Sequence, residues 1–264
     1  MRLTDAHMHL PEYVDPSEVI RNARARGMRL FSCTVRPAQA ELNVRLAEEN
    51  PGIVKCFLGV HPSDAPEDVI ADSGSAFGKL LQRCDGIGEI GLDPKYSVVG
   101  ENSAQVRWFV AQLGAAEKMN KPVHVHSRGS EKQCLDILET FRLRSVMMHW
   151  FEGQTEQAVQ RVVANGYYVS FGPALLYSKR IRRLACRVPE ERVLTESDGP
   201  VAFNALGGMG GPDTIPSVLL ALAETRRCDF VEMEGRVEEN AGSYLGAEDR
   251  LLKGQTSGPP ERRP

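Results

Sequence analysis

The sequence lacks any apolar run long enough to cross a bilayer. Its longest apolar stretches, such as residues 217–223, fall far short of the ~20 residues that a membrane helix needs. It also lacks a CxxC pair and any compact cysteine framework. The dispersed cysteines favour reduced thiols in the cytosol, packed as small core residues, over disulfides or zinc knuckles; they are Cys33, Cys56, Cys84, Cys134, Cys186 and Cys228. No signal peptide is expected, because residues 2–3 lead directly into a strand that carries His7 and His9.

An excess of positive charge is also missing. The formal net charge is −3 and the isoelectric point is about 6.1, so the whole molecule has no positive field that would gather nucleic acid. A polyanion would have to be attracted locally. The one basic run covers residues 179–183, near the expected rim of the fold, where it either lines a groove for a nucleic-acid strand or forms a solvated helix face. Neither a membrane nor a protein partner is indicated.

What the chain does contain is an eightfold alternation of strand-like and helix-like segments. Strands are predicted over residues 2–9, 30–35, 53–60, 86–92, 122–127, 145–150, 167–171 and 192–197. Helices are predicted over residues 16–26, 38–49, 67–82, 102–119, 131–141, 154–163, 178–186 and 214–225. The alternation predicts a (β/α)8 TIM barrel as one domain over residues 1–253, with a disordered tail over 254–264. A doubly wound open sheet is the alternative.

Histidines mark the ends of these strands. All six lie at or just before the predicted carboxyl end of a strand, where a barrel places its active site; they are His7, His9, His61, His124, His126 and His149. His7 and His9 share one face of their strand and so present two imidazoles to one side. An isolated pair of this kind is often a packed core feature, but six placed this way favour a metal site.

Two carboxylates at other strand ends complete a possible two-metal centre. In this interpretation His7 and His9 hold one ion, which Asp198 also contacts, and Glu89 bridges to a second ion. His126 and His149 hold that second ion. Such a site remains cationic and suits a phosphodiester, with a metal-activated water as the nucleophile. Several imidazoles favour zinc, manganese, cobalt or nickel, although magnesium could serve through its availability.

The order and content of the motifs resemble the TatD family of metal-dependent deoxyribonucleases, within the amidohydrolase-like barrels. The motifs are DxHxH at 5–9, GVHP at 59–62, GEIGLD at 88–93, PVxxHSR at 122–128, HxFxG at 149–153 and ESDGP at 196–200. The resemblance implies six metal ligands, namely His7, His9, Glu89, His126, His149 and Asp198. Glu89 stands where other binuclear enzymes of this group use a carboxylated lysine, and this favours the nuclease-like branch.

Other residues near this centre are expected to contact the substrate or to support the metal ligands. His61 is expected to contact the scissile phosphate or to donate a proton to the leaving oxygen, although a supporting hydrogen bond to a ligand is equally plausible. Asp5 and Asp93 are expected to orient ligand imidazoles, and Arg128 to pair with a phosphate or with one of these carboxylates. His124 is expected to be buried rather than a ligand.

Glu196 shares a strand face with Asp198, and a supporting acceptor role is favoured over direct ligation of metal.

The sequence departs from the family pattern in residues 201–212, which lack the expected arginine and Asn-x-Pro element. The glycine-rich part, residues 207–212, is either a lid or a plain connector. The leading hypothesis is a deoxyribonuclease that acts on single strands or 3′ ends of DNA. The alternatives are a hydrolase of a small phosphoester, lactone or amide and, less favoured, a non-catalytic metal-binding protein.

Overall fold

Eight parallel strands form one sheet in which each strand is hydrogen-bonded to the next in chain order. The computed structural model describes residues 3–66, 75–100, 103–203, 205 and 207–246. The strands are β1 (Leu3–Met8), β2 (Met28–Cys33), β3 (Val54–Leu58), β4 (Gly86–Gly91), β5 (Val123–His126), β6 (Val146–Met148), β7 (Tyr168–Phe171) and β8 (Val193–Thr195). All eight overlap the predicted strands, and β2 begins and ends two residues earlier than predicted.

The sheet closes because its first and last strands meet. The Asp198 N–H donates to the carbonyl of His7 at 3.0 Å, and the His9 N–H donates to the carbonyl of Gly199 at 2.8 Å. Below them, the Thr195 hydroxyl donates to the carbonyl of Thr4 at 2.9 Å. The predicted (β/α)8 barrel is therefore confirmed, and the open-sheet alternative is wrong.

Helices connect the strands around the outside of the barrel. They are α1 (Pro16–Ala25), α2 (Ala40–Glu49), α3 (Ala76–Leu80), α4 (Ala104–Met119), α5 (Glu131–Leu138), α6 (Glu156–Ala164), α7 (Ala174–Tyr177), α8 (Lys179–Ala185), α9 (Ile215–Arg226) and α10 (Phe230–Leu245). Of the helix predicted over 67–82, residues 67–74 lie outside the described part, and the described helix is α3. Helices α7 and α10 are not among the predicted ones.

Side-chain caps explain where several helices begin and end. Asp15 accepts the Glu18 N–H at 2.9 Å and starts α1, with Pro16 as its first helical residue. Helix α6 ends at the Asn165–Gly166 pair, where Gly166 has a φ of 65°. These local signals turn the chain at the rim and leave the strands free to pair.

The floor of the barrel is an aromatic cluster closed by α10. Strand residues such as Phe31 and Phe57 pack there with Tyr244 of α10, all of them fully buried. The Tyr244 hydroxyl donates to the carbonyl of Val123 at 2.9 Å, which ties α10 to β5. The final helix therefore plugs the end of the barrel opposite the strand termini that carry the histidines.

Two expectations about individual segments need comment. Residues 201–212 contain a short antiparallel pair of strands, β9 (Ala202–Phe203) and β10 (Gly208–Met209).

The predicted packing of cysteines in the core holds for four of them, but it is wrong for Cys186, which is exposed, and for Cys228, which is half-buried. The predicted tail over residues 254–264 lies outside the described residues. Among the described helices, none combines the length and apolar character needed to cross a bilayer.

We predict that Tyr244→Ala lowers the free energy of unfolding by about 3–5 kcal/mol, because it removes a large buried ring from the barrel floor. Equilibrium urea unfolding followed by circular dichroism measures the change. The matched control is Val231→Ala on the same helix, where the side chain is 71% exposed and the expected change is within about 0.5 kcal/mol. A Tyr244 variant as stable as this control would contradict the role given to α10.

Candidate metal centre

Six predicted ligands converge at the mouth of the barrel, at the carboxyl ends of four strands and in the loop that follows β8. They surround or underlie a cavity of about 620 Å³. Five of them line this cavity, and they are His9, Glu89, His126, His149 and Asp198. The sixth, His7, lies fully buried beneath it. His61 also lines the cavity.

Four donor atoms form a first group around one point. The Nε2 atoms of His7 and His9 are 3.3 Å apart. Oε2 of Glu89 lies 3.4 Å from both nitrogens, and Oδ1 of Asp198 lies 3.7 Å from His7 and 3.4 Å from His9. A tetrahedral ion with ligands at 2.0–2.2 Å has neighbouring ligands roughly 3.3–3.6 Å apart. The donor types and their spacing therefore fit one divalent cation.

The other carboxylate oxygen of Glu89 faces a second group. Oε1 lies 2.7 Å from Nδ1 of His126 and 3.7 Å from Nε2 of His149. His61 Nε2 lies 3.7 Å from the same oxygen and 3.3 Å from His126 Nδ1. Glu89 thus points its two oxygens at two separate sets of imidazoles, which is the arrangement expected of a bridging carboxylate. Oδ1 of Asp198, at 3.8 Å from His149 Nε2, lies between the two groups.

Carboxylates behind the imidazoles fix which ring nitrogen faces the centre. Oδ2 of Asp93 lies 2.8 Å from Nε2 of His126, and Oε2 of Glu196 lies 2.7 Å from Nδ1 of His149. Because an ionised carboxylate only accepts, each of these nitrogens donates. The opposite nitrogen faces the centre and becomes available to a metal ion once it has lost its own proton. The structure therefore places Asp93 and Glu196 in the supporting positions that the sequence favours.

The support behind His7 is different and includes a residue that the sequence analysis missed. Nδ1 of His7 lies 3.2 Å from Nδ1 of His124 and 3.5 Å from Sγ of Cys33. His124 is fully buried, as expected, and stacks on Phe57 with 3.9 Å between ring centroids. Cys33 is the last residue of β2. Its position at a strand end is the feature of the sequence that could have indicated this contact. The carbonyl of Cys33 also lies 3.2 Å from Nδ1 of His9.

The electrostatics keep the bridging carboxylate charged. Burial alone would raise the pKa of Glu89, but the imidazoles of His61, His149 and His7 outweigh it and hold this pKa well below its usual value. Burial alone would lower the pKa of His149, but the carboxylates of Glu196, Asp198 and Glu89 raise it to about 10. The metal-free centre therefore holds protons that a bound cation would displace.

Of two further residues with predicted roles, Asp5 lacks its predicted contact and Arg128 makes one of its two. Asp5 does not touch a ligand ring: its Oδ1 accepts the Ser197 N–H at 2.9 Å, and the expectation that it orients an imidazole is wrong. Its carboxylate instead ties β1 to the segment after β8, which carries Asp198. Arg128 lines the cavity and pairs with Asp93, with Nη2 at 2.6 Å from Oδ2. A carboxylate was one of the two partners predicted for it.

The basic run over residues 179–183 belongs to α8 and is not part of the cavity wall among the residues that the structure describes. Arg180 turns back to the carboxylate of Glu152 at 3.4 Å, and Nε of Arg182 donates to the carbonyl of Leu175 at 2.9 Å. The side chains of Arg180 and Arg182 therefore fold onto the protein surface. This geometry favours the solvated-face interpretation of the run.

We predict that Glu196→Gln weakens metal binding by about 10–100-fold, because the amide no longer holds the His149 ring with a charged acceptor. The glutamine keeps an oxygen for the Trp150 N–H, which Glu196 now accepts at 3.1 Å. Competition with a chromophoric chelator measures the dissociation constants. The exposed Glu224→Gln on α9 is the matched control, and equal affinities for both variants would contradict the supporting role.

Comparison with known proteins agrees with this geometry. The chain is 30% identical over 214 residues to the human protein named deoxyribonuclease TATDN3, and the match covers 75% of this chain and 78% of the human one. It is 28% identical over 248 residues to the 3′–5′ ssDNA/RNA exonuclease TatD of Citrobacter rodentium, and here the match covers 88% of this chain and 92% of the relative.

Solved structures and a family model extend the comparison. The crystal structure of the TatD homologue YJJV from Escherichia coli superimposes with a TM-score of 0.77 at 23% sequence identity. The match covers 92% of this chain and 97% of that chain, so the two have the same fold. The model of the family described as TatD related DNase matches residues 4–246. A match over this length identifies the chain as a member of the TatD family of metal-dependent hydrolases.

Proposed function

We propose that this protein is a metal-dependent deoxyribonuclease that hydrolyses phosphodiester bonds in single strands or at 3′ ends of DNA. The observation that carries the proposal is the orientation of Glu89, whose two carboxylate oxygens face two separate donor groups at the barrel mouth. A binuclear centre of this kind suits a phosphodiester, because two cations can stabilise both the attacking and the leaving oxygen.

In this proposal two divalent ions occupy the donor groups. His7, His9 and Asp198 hold the first, His126 and His149 hold the second, and Glu89 is shared between them. When bound, the ions lower the pKa of a coordinated water and neutralise charge on the phosphate. The donor set of imidazoles and carboxylates accepts Mg²⁺, Mn²⁺, Zn²⁺ or Co²⁺, and its several imidazoles favour the last three.

Asp198 also serves the reaction as a base. Its carboxylate is 5% exposed and lines the cavity, with Oδ1 near His9 and His149. A carboxylate in this position can orient the attacking water and accept its proton. The left-handed backbone of Asp198, with a φ of 50°, directs the side chain into the cavity immediately after β8.

His61 acts as a neutral hydrogen-bond donor toward the substrate. Its Nδ1 accepts the Ser63 N–H at 3.0 Å, so its proton resides on Nε2, which lies on the cavity side. Burial lowers the pKa of His61 to about 3, so the ring is neutral at physiological pH. The Nε2–H group can therefore donate to a phosphate oxygen or to the leaving oxygen.

Arg128 supplies positive charge at the entrance of the cavity. Its guanidinium pairs with Asp93 through Nε and Nη2 and is 46% exposed, so part of it faces the substrate side. Lys95 lines the same part of the cavity. These cations provide local attraction for a phosphate, which an acidic chain needs if it binds a polyanion.

A hydrolase of a small phosphoester remains the alternative function, and the absence of the basic residues of α8 from the described cavity wall is consistent with it. The two functions differ in their response to salt. Hydrolysis of a nucleic-acid strand at low substrate concentration should fall steeply as salt rises, whereas turnover of a small phosphoester, which makes far fewer ionic contacts, should respond much less.

We predict that metal-stripped protein does not cleave end-labelled single-stranded DNA and that Mn²⁺, Co²⁺, Zn²⁺ or Mg²⁺ restores cleavage. Glu89→Ala should lose the restored activity by at least ~100-fold, because both ions lose a shared ligand. Loss of activity in Glu89→Ala also excludes a contaminating nuclease, and the exposed Glu156→Gln on α6 is the control that should keep full activity. A wild-type protein that binds two ions but leaves the DNA intact would overturn the nuclease proposal in favour of a small substrate.

We predict that His61→Ala lowers kcat on single-stranded DNA by roughly 100-fold while two ions per chain remain bound, because the variant loses a donor and no ligand. Elemental analysis gives the metal content, and steady-state kinetics separate kcat from KM. If the metal content of this variant falls to one ion, His61 is a ligand and the donor role is wrong.

A further inference from the structure

The walls of the cavity differ in chemical character. On one side lie Lys95, Tyr96 and Arg128, with the Arg128 guanidinium 5.6 Å from the centre of the Tyr96 ring. On another side lie Trp150 and the residues that lead into β9, including Val201, which is 40% exposed. The donor atoms of the metal centre lie at the base between these walls. A substrate bound there meets positive charge from the loops after β4 and β5 and an aromatic surface from the loop after β6.

The apolar side is a built structure. The ring of Trp150 stacks on the ring of Phe203 with 5.0 Å between centroids and an interplanar angle of 18°. Phe203 belongs to β9 and is 4% exposed, whereas Trp150 is half-buried and lines the cavity. The β9–β10 pair thus supports one face of the indole from behind. This is the segment in which the chain departs from the family pattern.

The backbone at Trp150 is held in an unfavourable conformation. Four described residues other than glycine have a left-handed φ, and two of them, Asn120 and Arg227, are helix C-caps, where this conformation is ordinary. The other two are Trp150, with a φ of 42°, and Asp198, and both line the cavity. A bulky residue keeps such a conformation when its surroundings enforce it, often at a functional site.

The residue that holds the backbone of Trp150 in place also contacts the metal centre. The Trp150 N–H donates to Oε1 of Glu196 at 3.1 Å, while Oε2 of the same carboxylate holds Nδ1 of His149 at 2.7 Å. One buried side chain therefore fixes a proposed metal ligand and the adjacent indole relative to each other. The aromatic surface is set at a constant position beside the reacting centre.

We propose that the indole of Trp150 is a stacking platform for the nucleobase next to the scissile phosphodiester. The inference rests on the proposed nuclease function and adds how the substrate is recognised. Every base has a flat π-face, so stacking on Trp150 gives affinity without sequence preference. Lys95 and Arg128, from the loops after β4 and β5, take the phosphate backbone, and the base stacks on Trp150 in the loop after β6.

The test compares two single-stranded oligonucleotides that differ in one feature, a normal or an abasic nucleotide at the cleaved end. Wild-type protein should show kcat/KM at least about tenfold higher for the strand with the base. In Trp150→Leu, which keeps apolar volume but lacks a π-face, this ratio should fall towards one. Trp150→Phe keeps a π-face and should retain a ratio of several-fold. Circular dichroism and metal content show whether each variant is folded and loaded.

Equal cleavage of both strands by wild-type protein, or an undiminished ratio in Trp150→Leu, overturns the platform while the nuclease function stands. Failure of wild-type protein to cleave either strand overturns the nuclease function, and fluorescence then decides the platform. The chain has two tryptophans, and Trp108 is 2% exposed, so a ligand in the cavity reports through Trp150. Quenching by deoxyadenosine monophosphate but not by deoxyribose 5-phosphate supports stacking, whereas equal responses or no response overturn it.

Discussion

The structure depends on one carboxylate placed between two sets of imidazoles. Glu89 is 2% exposed, and its oxygens lie against His7 and His9 on one side and His126 on the other. So many polar groups in a buried mouth would be costly without charge compensation. In the protein alone, this charge compensation comes from shared protons and from the carboxylates behind the rings. In the proposed binuclear state two divalent cations would provide this compensation instead, because they would give the inward nitrogens a partner and leave excess positive charge for an anionic substrate.

The barrel is what makes this convergence possible. Parallel strands all end at the same rim, so residues distant in the sequence reach one point without any long loop. The closure of β1 against the segment after β8 matters most, because it brings Asp198 beside His9. Asp5, buried and bonded to Ser197, supports that closure. At the other end, Tyr244 fills the floor and leaves the mouth as the open end of the barrel.

The sequence predicts the strands and the convergence of the six candidate ligands well, because alternation along a strand and the strand-end position are local properties. It also predicts that His126 rather than His124 faces the centre, and this comes from the motif that contains them. It does not predict the contact of Cys33 with His7, since neighbouring strands must be in register before that contact exists. The stacking of Trp150 on Phe203 is missed for the same reason, because it joins segments 53 residues apart in the sequence. Helix α10 carries two glycines, Gly235 and Gly242, that weaken its local helical signal.

The most direct test of the account is whether Glu89 joins two ions into one unit. Electron paramagnetic resonance of the protein loaded with Mn²⁺ reports this, because a carboxylate bridge couples the spins of the two ions. The account predicts an exchange-coupled spectrum at two ions per chain, and in Glu89→Gln that spectrum should disappear. A spectrum of isolated Mn²⁺ ions at full loading of the wild-type protein would contradict the shared carboxylate and, with it, the binuclear centre.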